Sequence, residues 1–245
     1  MQMMKSILRS ALPCGLFQLV KDIRFRRSLD TLETLQKKVQ ELEHKYGFAG
    51  LHMGCGPIRH EGYLNCDLSG GEFCVDATRS LPILDNSLDY AYSEHFIEHV
   101  TFDEALFFLK ESLRVLKKGG ICRCLFSDFS SLLLAADKGQ ELEAKLRDRI
   151  TGGIVSQNGE CLMSPRVSAE QAMLWDPRDD SCNNFFRDWG HQYLWSARHL
   201  KKALEHVGFQ KVEILPFGES NNPKVLLDPT DRWGWEWTSA VEAKK

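Results

Sequence analysis

Two glycines close an apolar run, Leu51-His52-Met53-Gly54-Cys55-Gly56. A glycine pair in that place lets the backbone turn sharply and lets a ligand approach with no Cβ in the way. A pyrophosphate-binding loop wants a third glycine three residues on, and that position is Arg59. The loop therefore suits a cofactor without phosphate. Asp67 ends the next apolar run, where a carboxylate can accept hydrogen bonds from both hydroxyls of a ribose. Asp76 and Ala77 end a third, and a carboxylate there could accept from an adenine amino group. Each aspartate alone is a common turn or cap residue. Their order along the chain is what points to a nucleoside.

Other residues carry groups that could bind a ligand or move a proton. Ser93 and Glu94 end a fourth apolar run. Asp128 follows a fifth and could orient or deprotonate an acceptor, or cap the helix expected after it. His191, in Trp189-Gly190-His191-Gln192-Tyr193, is a candidate general base, because a hydroxyl acceptor needs a group of pKa near neutrality. A purely structural histidine fits there as well. Trp175, Phe185, Phe186, Trp189, Tyr193 and Trp195 could stack on a sugar or quinone ring, or form a small core of their own. His95-Phe96-Ile97-Glu98-His99 matches the H-x-x-E-H zinc pattern. That pattern needs a helix carrying both histidines on one face. Thr101 caps a new helix directly afterwards, so a short turn and no metal are expected at 95–99.

These residues require a frame of alternating strands and helices. Strands are expected at 48–53, 63–67, 73–76, 88–93, 121–126 and 209–215, with a last one at 225–227. A helix at 30–46 shows apolar Leu32, Leu35, Val39, Leu42 and Tyr46, with Asp30 and Glu33 at N-cap and N3 spacing. Thr101 and Glu104 make a capping box for a helix to about 116, with Lys117-Lys118-Gly119-Gly120 as its stop. Ser196 caps another helix and Gly208 ends it. Alternation of this kind implies an α/β fold with a parallel sheet, whose ligands sit outside the carboxyl ends of the strands. Only six residues, 57–62, join the glycine loop to the next strand, so the first crossover helix must be missing or reduced. The stretch 128–195, with a charged helix near 131–150, reads as a helical lid or acceptor insertion.

Composition sets outer bounds. Hydrophobic residues make up 43% and charged residues 27% of 245, an ordinary globular balance. A net charge of −3 gives no global field for nucleic acid. None of the eight cysteines forms a Cys-x-x-Cys pair, which fits a reducing cytoplasm better than a disulfide framework. The chain divides into 1–46, a basic segment plus helix, and a domain over 47–245. Residues 1–27 hold six cations against Asp22, among apolar residues. They fit either peripheral contact with an anionic membrane or a helix packed on the domain.

The glycine pair, Asp67, the run from Asp76 through Asp85-Asn86-Ser87-Leu88-Asp89, the run from Ser93 to His99, and Arg114-Val115-Leu116-Lys117-Lys118-Gly119-Gly120 together resemble a known family. It is the type 11 group of class I S-adenosylmethionine-dependent methyltransferases, over about 48–128 with a weaker echo at 196–215. The short path from His52-Met53-Gly54-Cys55-Gly56-Pro57 to Tyr63, and the run 185–193, are similar to methyltransferases associated with bacterial surface-polysaccharide synthesis. Lys118 and Leu88 replace a usual proline and phenylalanine. The resemblance implies a Rossmann-like, mostly parallel doubly wound sheet with S-adenosylmethionine as cofactor. It implies that Gly54, Cys55 and Gly56 line the methionine and ribose, Asp67 holds the ribose hydroxyls, Asp76 and Ala77 flank the adenine, and Ser93 and Glu94 face cofactor and acceptor. The acceptor it implies is a hydroxyl of a saccharide or glycolipid precursor. A quinone or other small molecule, or cofactor binding without turnover, are the alternatives. The expected location is the cytoplasm, at the inner membrane face if 1–27 binds lipid.

Overall fold

The computed structural model describes residues 29–136, 154–155, 161–163, 179, 182–183, 185–186, 190–229 and 237–245. The basic segment 1–27, most of the charged helix expected at 131–150, and Trp175, Trp189, Trp233 and Trp235 lie outside the described residues.

The strands are β1 (Gly50–Met53), β2 (Tyr63–Asp67), β3 (Phe73–Cys74), β4 (Leu88–Glu94), β5 (Leu116–Ser127), β6 (Ile154–Val155), β7 (Cys161–Met163), β8 (Gln210–Leu215) and β9 (Thr238–Lys244). Seven of them form one sheet in the order β3-β2-β1-β4-β5-β9-β8, and β6 and β7 pair separately. The pairs from β3 to β5 are parallel, while β9 runs antiparallel to both β5 and β8. Chain order reverses direction between β1 and β4, so a crevice opens at their carboxyl ends. Residues 54–62 cross from β1 to β2 as turns with no helix, as the short spacing requires.

The helices are α1 (Leu32–Tyr46), α2 (Phe102–Val115), α3 (Phe129–Ala136) and α4 (Ala197–Val207). One hydrophobic cluster joins Leu35, Val39 and Leu42 of α1, Phe108 and Leu109 of α2, and Leu200 and Leu204 of α4. It also takes in Leu51, Met53, Leu64, Ala91, Cys122, Cys124 and Val241, which alternation places on one side of the sheet. The opposite side carries a polar row. Strand register aligns Asn65, His52, Tyr92, Arg123 and Glu242 across β2, β1, β4, β5 and β9, and all five are buried. Arg123 resolves the charge by donating to Asp228, to Glu242 Oε1 at 2.8 Å and to the Glu219 carbonyl at 2.9 Å.

Several boundaries follow the local chemistry of the sequence. Thr101 and Glu104 form the reciprocal capping box at the start of α2. Ser196 caps α4, and Gly208 ends it in the left-handed conformation at φ +112°. Three expectations need correction. The N-cap of α1 is Thr31, which accepts from Thr34 N, while Asp30 instead accepts from Cys74 N at 2.7 Å and ties the helix entry to β3. The end of α2 precedes the Lys-Lys-Gly-Gly stop, and Leu116 passes directly into β5. Residues 225–227 form no strand, and the last strand is β9, unforeseen because buried Glu242 reads as a solvated residue until its partner Arg123 is known. No helix among the described residues is long and apolar enough to cross a membrane.

Candidate functional site

The glycine loop leaves β1 with Gly54 at φ +72° and Gly56 at φ +51°. A Cβ on Gly54 would lie 2.9 Å from Phe96 Cβ, so the loop packs tightly on the turn that follows β4. A Cβ on Gly56 would meet nothing within 4 Å, leaving open space above that backbone. Asp67, at the end of β2, accepts from Gly56 N at 3.1 Å through Oδ2 and from Ser69 N at 3.0 Å through Oδ1. The third glycine position contributes a bracket: Arg59 donates to the carbonyls of Gly56 and Gly70, and to Cys55 Sγ. Two loops at the carboxyl edge are thereby stitched together where a crossover helix would otherwise stiffen them. Burial pushes the Cys55 thiol above its ordinary pKa despite the nearby Arg59 charge.

Asp76 lies two residues beyond β3 in a turn. Its Oδ1 accepts from Thr78 N and Thr78 Oγ1, and its Oδ2 from Arg79 Nε. Ala77 beside it is buried. The segment after them is clamped from below. Arg114 donates to the carbonyls of Ile83 and Leu81, to Asp85 and to Glu111, while Glu111 accepts from Leu81 N at 2.7 Å. Lys117 joins Glu43 to Asp89. Arg114 is thus a structural clamp on the loop that leads out of Asp76, and Lys117 ties α1 to β4.

Ser93 and Glu94 end β4, both buried, and Tyr92 Oη donates toward Glu94 Oε2 at 3.5 Å. His95 then takes φ +45°, a costly conformation for a residue with a Cβ. This bend throws the chain into a 3-10 turn at Ile97–His99, the short turn expected. Glu98 points inward and is only 1% exposed. Its Oε1 accepts from His95 Nδ1 at 3.0 Å and from Ser127 N at 3.2 Å. Burial pushes this carboxyl up, but the His95 hydrogen bond and the charges of His95 and His99 outweigh it and hold Glu98 at about 2.

Residues 190–196 run along the same turn. Gln192 N donates to the Glu98 carbonyl at 2.8 Å, and Trp195 Nε1 donates to the Ile97 carbonyl. This brings His191 against His99, with ring centroids 4.8 Å apart. A carbonyl only accepts, so the 2.7 Å contact between His191 Nδ1 and the Phe185 carbonyl fixes the proton on Nδ1 and the lone pair on Nε2. Burial lowers the His191 pKa, and Glu98 only partly restores it, so the ring is neutral near pH 7.

Asp128 is buried and fully engaged. It accepts from Ser130 N, Ser131 Oγ and Ser239 Oγ, capping α3 and fastening β9. Of the aromatic residues, Trp195 is a core residue stacked on Phe102 with Tyr193 and His199 tilted against it, and Phe185 is buried against Leu132 and Trp237. Phe186 is exposed. The structure therefore brings Gly54, Cys55, Gly56, Asp67, Ser93, Glu94 and His191 to one edge, with Asp128 behind it. Asp76 and Ala77 lie on the flanking turn. Sequence reading missed Glu98 and His99 as partners of His191, since ninety-odd residues separate them in the chain.

A family model described as a methyltransferase domain matches residues 51–124. A search of curated proteins finds no match. Among solved structures, an S-adenosylmethionine-dependent methyltransferase from Archaeoglobus fulgidus is 18% identical over 94% of this chain and 100% of its own, with a TM-score of 0.47. One from Thermotoga maritima is 16% identical over 84% and 87%, with a TM-score of 0.44. A Haemonchus contortus N-methyltransferase in complex with phosphomonomethylethanolamine and S-adenosylhomocysteine is 12% identical over 85% and 53%, at 0.45. The matched residues, 51–124, carry most of the parallel part of the sheet, β1 to β5, as a methyltransferase domain.

Proposed function

We propose that the acceptor is a hydroxyl of a saccharide or glycolipid precursor, methylated at the carboxyl edge of β1 and β4. The observation that carries this reading is the joining of two parts: the glycine loop and the Glu98–His99–His191 cluster meet through Phe96 packed on Gly54. The saccharide class rests on the similarity of 185–193 and the glycine run to polysaccharide-associated methyltransferases.

The open space over Gly56, beside the Asp67 carboxylate, fits a nucleoside without phosphate. In this reading Gly54, Cys55 and Gly56 line the methionine and ribose side. Asp67 takes the ribose hydroxyls with the lone pairs its backbone partners leave. Asp76 and Ala77 flank the adenine, and Ser93 borders the methyl donor. S-adenosylmethionine supplies an electrophilic methyl carbon that a nucleophile displaces in line. His191 Nε2 holds the lone pair that receives the hydroxyl proton, and anionic Glu98 favours the imidazolium so formed. Glu94 orients the acceptor, and Asp128 positions β9 and α3 behind it. The basic segment 1–27 holds the enzyme at an anionic membrane surface on the cytoplasmic side.

Release of S-adenosylhomocysteine in the presence of saccharide acceptors tests this reading. His191→Ala is expected to lower kcat by roughly 10²–10⁴-fold while S-adenosylhomocysteine binds with unchanged affinity. Asp67→Ala with Asp76→Ala is expected to abolish micromolar binding, about −8 kcal/mol. Folded wild type that binds no S-adenosylhomocysteine, or full turnover by His191→Ala, overturns the reading.

A further inference from the structure

We propose that Glu98, His99 and His191 form a binding site for a divalent transition-metal ion of the zinc type. One ligand atom from each lies within 4.8 Å of the other two. Ligands at about 2.1 Å from a tetrahedral ion stand about 3.4 Å apart, so side-chain rotation closes the shell. Two imidazoles and one carboxylate are a donor set that suits such ions and leaves a coordination position open.

A second observation points at a ligand. Glu98 Oε2 is buried and has no hydrogen-bond partner among the described residues, although Oε1 of the same carboxylate has two. A buried carboxylate oxygen left without a partner is costly, and a cation removes that cost. The surroundings also orient the donors. His95 Nδ1 and Ser127 N hold Oε1, which leaves Oε2 as the carboxylate atom available to a cation. The Phe185 carbonyl fixes the proton of His191 on Nδ1 and leaves Nε2 as the metal-binding atom. Carbonyl and carboxylate partners of this kind orient histidine ligands in metal sites. The site does not use the H-x-x-E-H pair: His95 braces the carboxylate, and the second histidine arrives from residue 191.

The inference goes beyond the proposed function and does not rest on it. A bound ion would occupy the Nε2 lone pair of His191 that receives the acceptor proton in the metal-free enzyme.

The test uses the full chain, stripped with a chelator and titrated with Co²⁺ by absorption and with Zn²⁺ against a chromophoric chelator. One equivalent is expected, with visible d–d bands and no thiolate charge-transfer band. His99→Asn and Glu98→Gln are each expected to weaken binding by at least about 100-fold. Circular dichroism and S-adenosylhomocysteine titration of the same samples check folding, and half-buried His99 is the variant least exposed to misfolding. Absence of stoichiometric binding by folded wild type overturns the site. So does wild-type affinity in His99→Asn, or a thiolate band showing cysteines as the ligands. Loss of S-adenosylhomocysteine binding instead overturns the preceding reading, and the cobalt spectrum still decides the metal site.

Discussion

The two halves of the carboxyl edge hold their loops by different physics. At β1 and β2 the crossover has no helix, so polar bonds from side chain to backbone carry the loop. Asp67 reaches Gly56 N, and Arg59 reaches Gly56 O and Gly70 O. At β4 and β5 the connection is α2, capped at Thr101 and packed through Phe108, Leu109 and Val115. Charged residues of α2 and β5 act as buried or half-buried clamps: Arg114 of α2 on the 81–85 loop, and Arg123 of β5 on the polar side of the sheet. A loop held by exposed hydrogen bonds can be loosened with little loss of global stability, whereas a buried charge network cannot. The cofactor half should therefore fail in binding and the helical half in folding.

The largest effect belongs to Arg123→Met. It strands Asp228 and Glu242, both close to fully buried, and should cost roughly 3–5 kcal/mol in urea unfolding. A loss below about 1 kcal/mol would mean that β9 does not depend on the network. A smaller, pH-dependent effect belongs to Glu111. Burial pushes its carboxyl up, but bonds from Arg114 and Leu81 outweigh this and leave it below 4.5. A depressed carboxyl stabilises the fold fully above its unfolded value, and that stabilisation is lost as pH falls through the folded value. The stability gap between wild type and Glu111→Gln should accordingly be widest near neutrality and shrink below about pH 4.5. A gap that widens in acid would contradict the clamp. The smallest stability change belongs to Arg59→Ala, under about 0.5 kcal/mol at an exposed position. Its S-adenosylhomocysteine Kd should nevertheless rise about tenfold, or 1.4 kcal/mol. Unchanged affinity would show that the loop needs no bracket, and the contrast between the halves would fall.

Legibility followed the range of the interactions. The capping box at Thr101, the Gly208 helix end, and the strands leading into Gly54 and Asp67 are set by neighbours a few residues apart, so pattern and spacing reveal them. The missing crossover helix was legible because chain length alone forbids it. Asp30 was misread because its partner, Cys74 N, belongs to a strand 44 residues away. β9 was missed for a related reason: Glu242 looks solvated until Arg123 neutralises it.

The amino-acid sequence alone determined the alternating α/β order, the glycine loop, the acidic strand ends and the caps at Thr101, Ser196 and Gly208, because these depend on local sterics, capping and periodicity. Tertiary structure alone decided which distant side chains meet. The bend at His95, the inward turn of Glu98 and the return of residues 190–196 along the same turn create the His99–His191 contact. Packing across β4 and β5 sets that geometry, and no residue spacing along the chain encodes it.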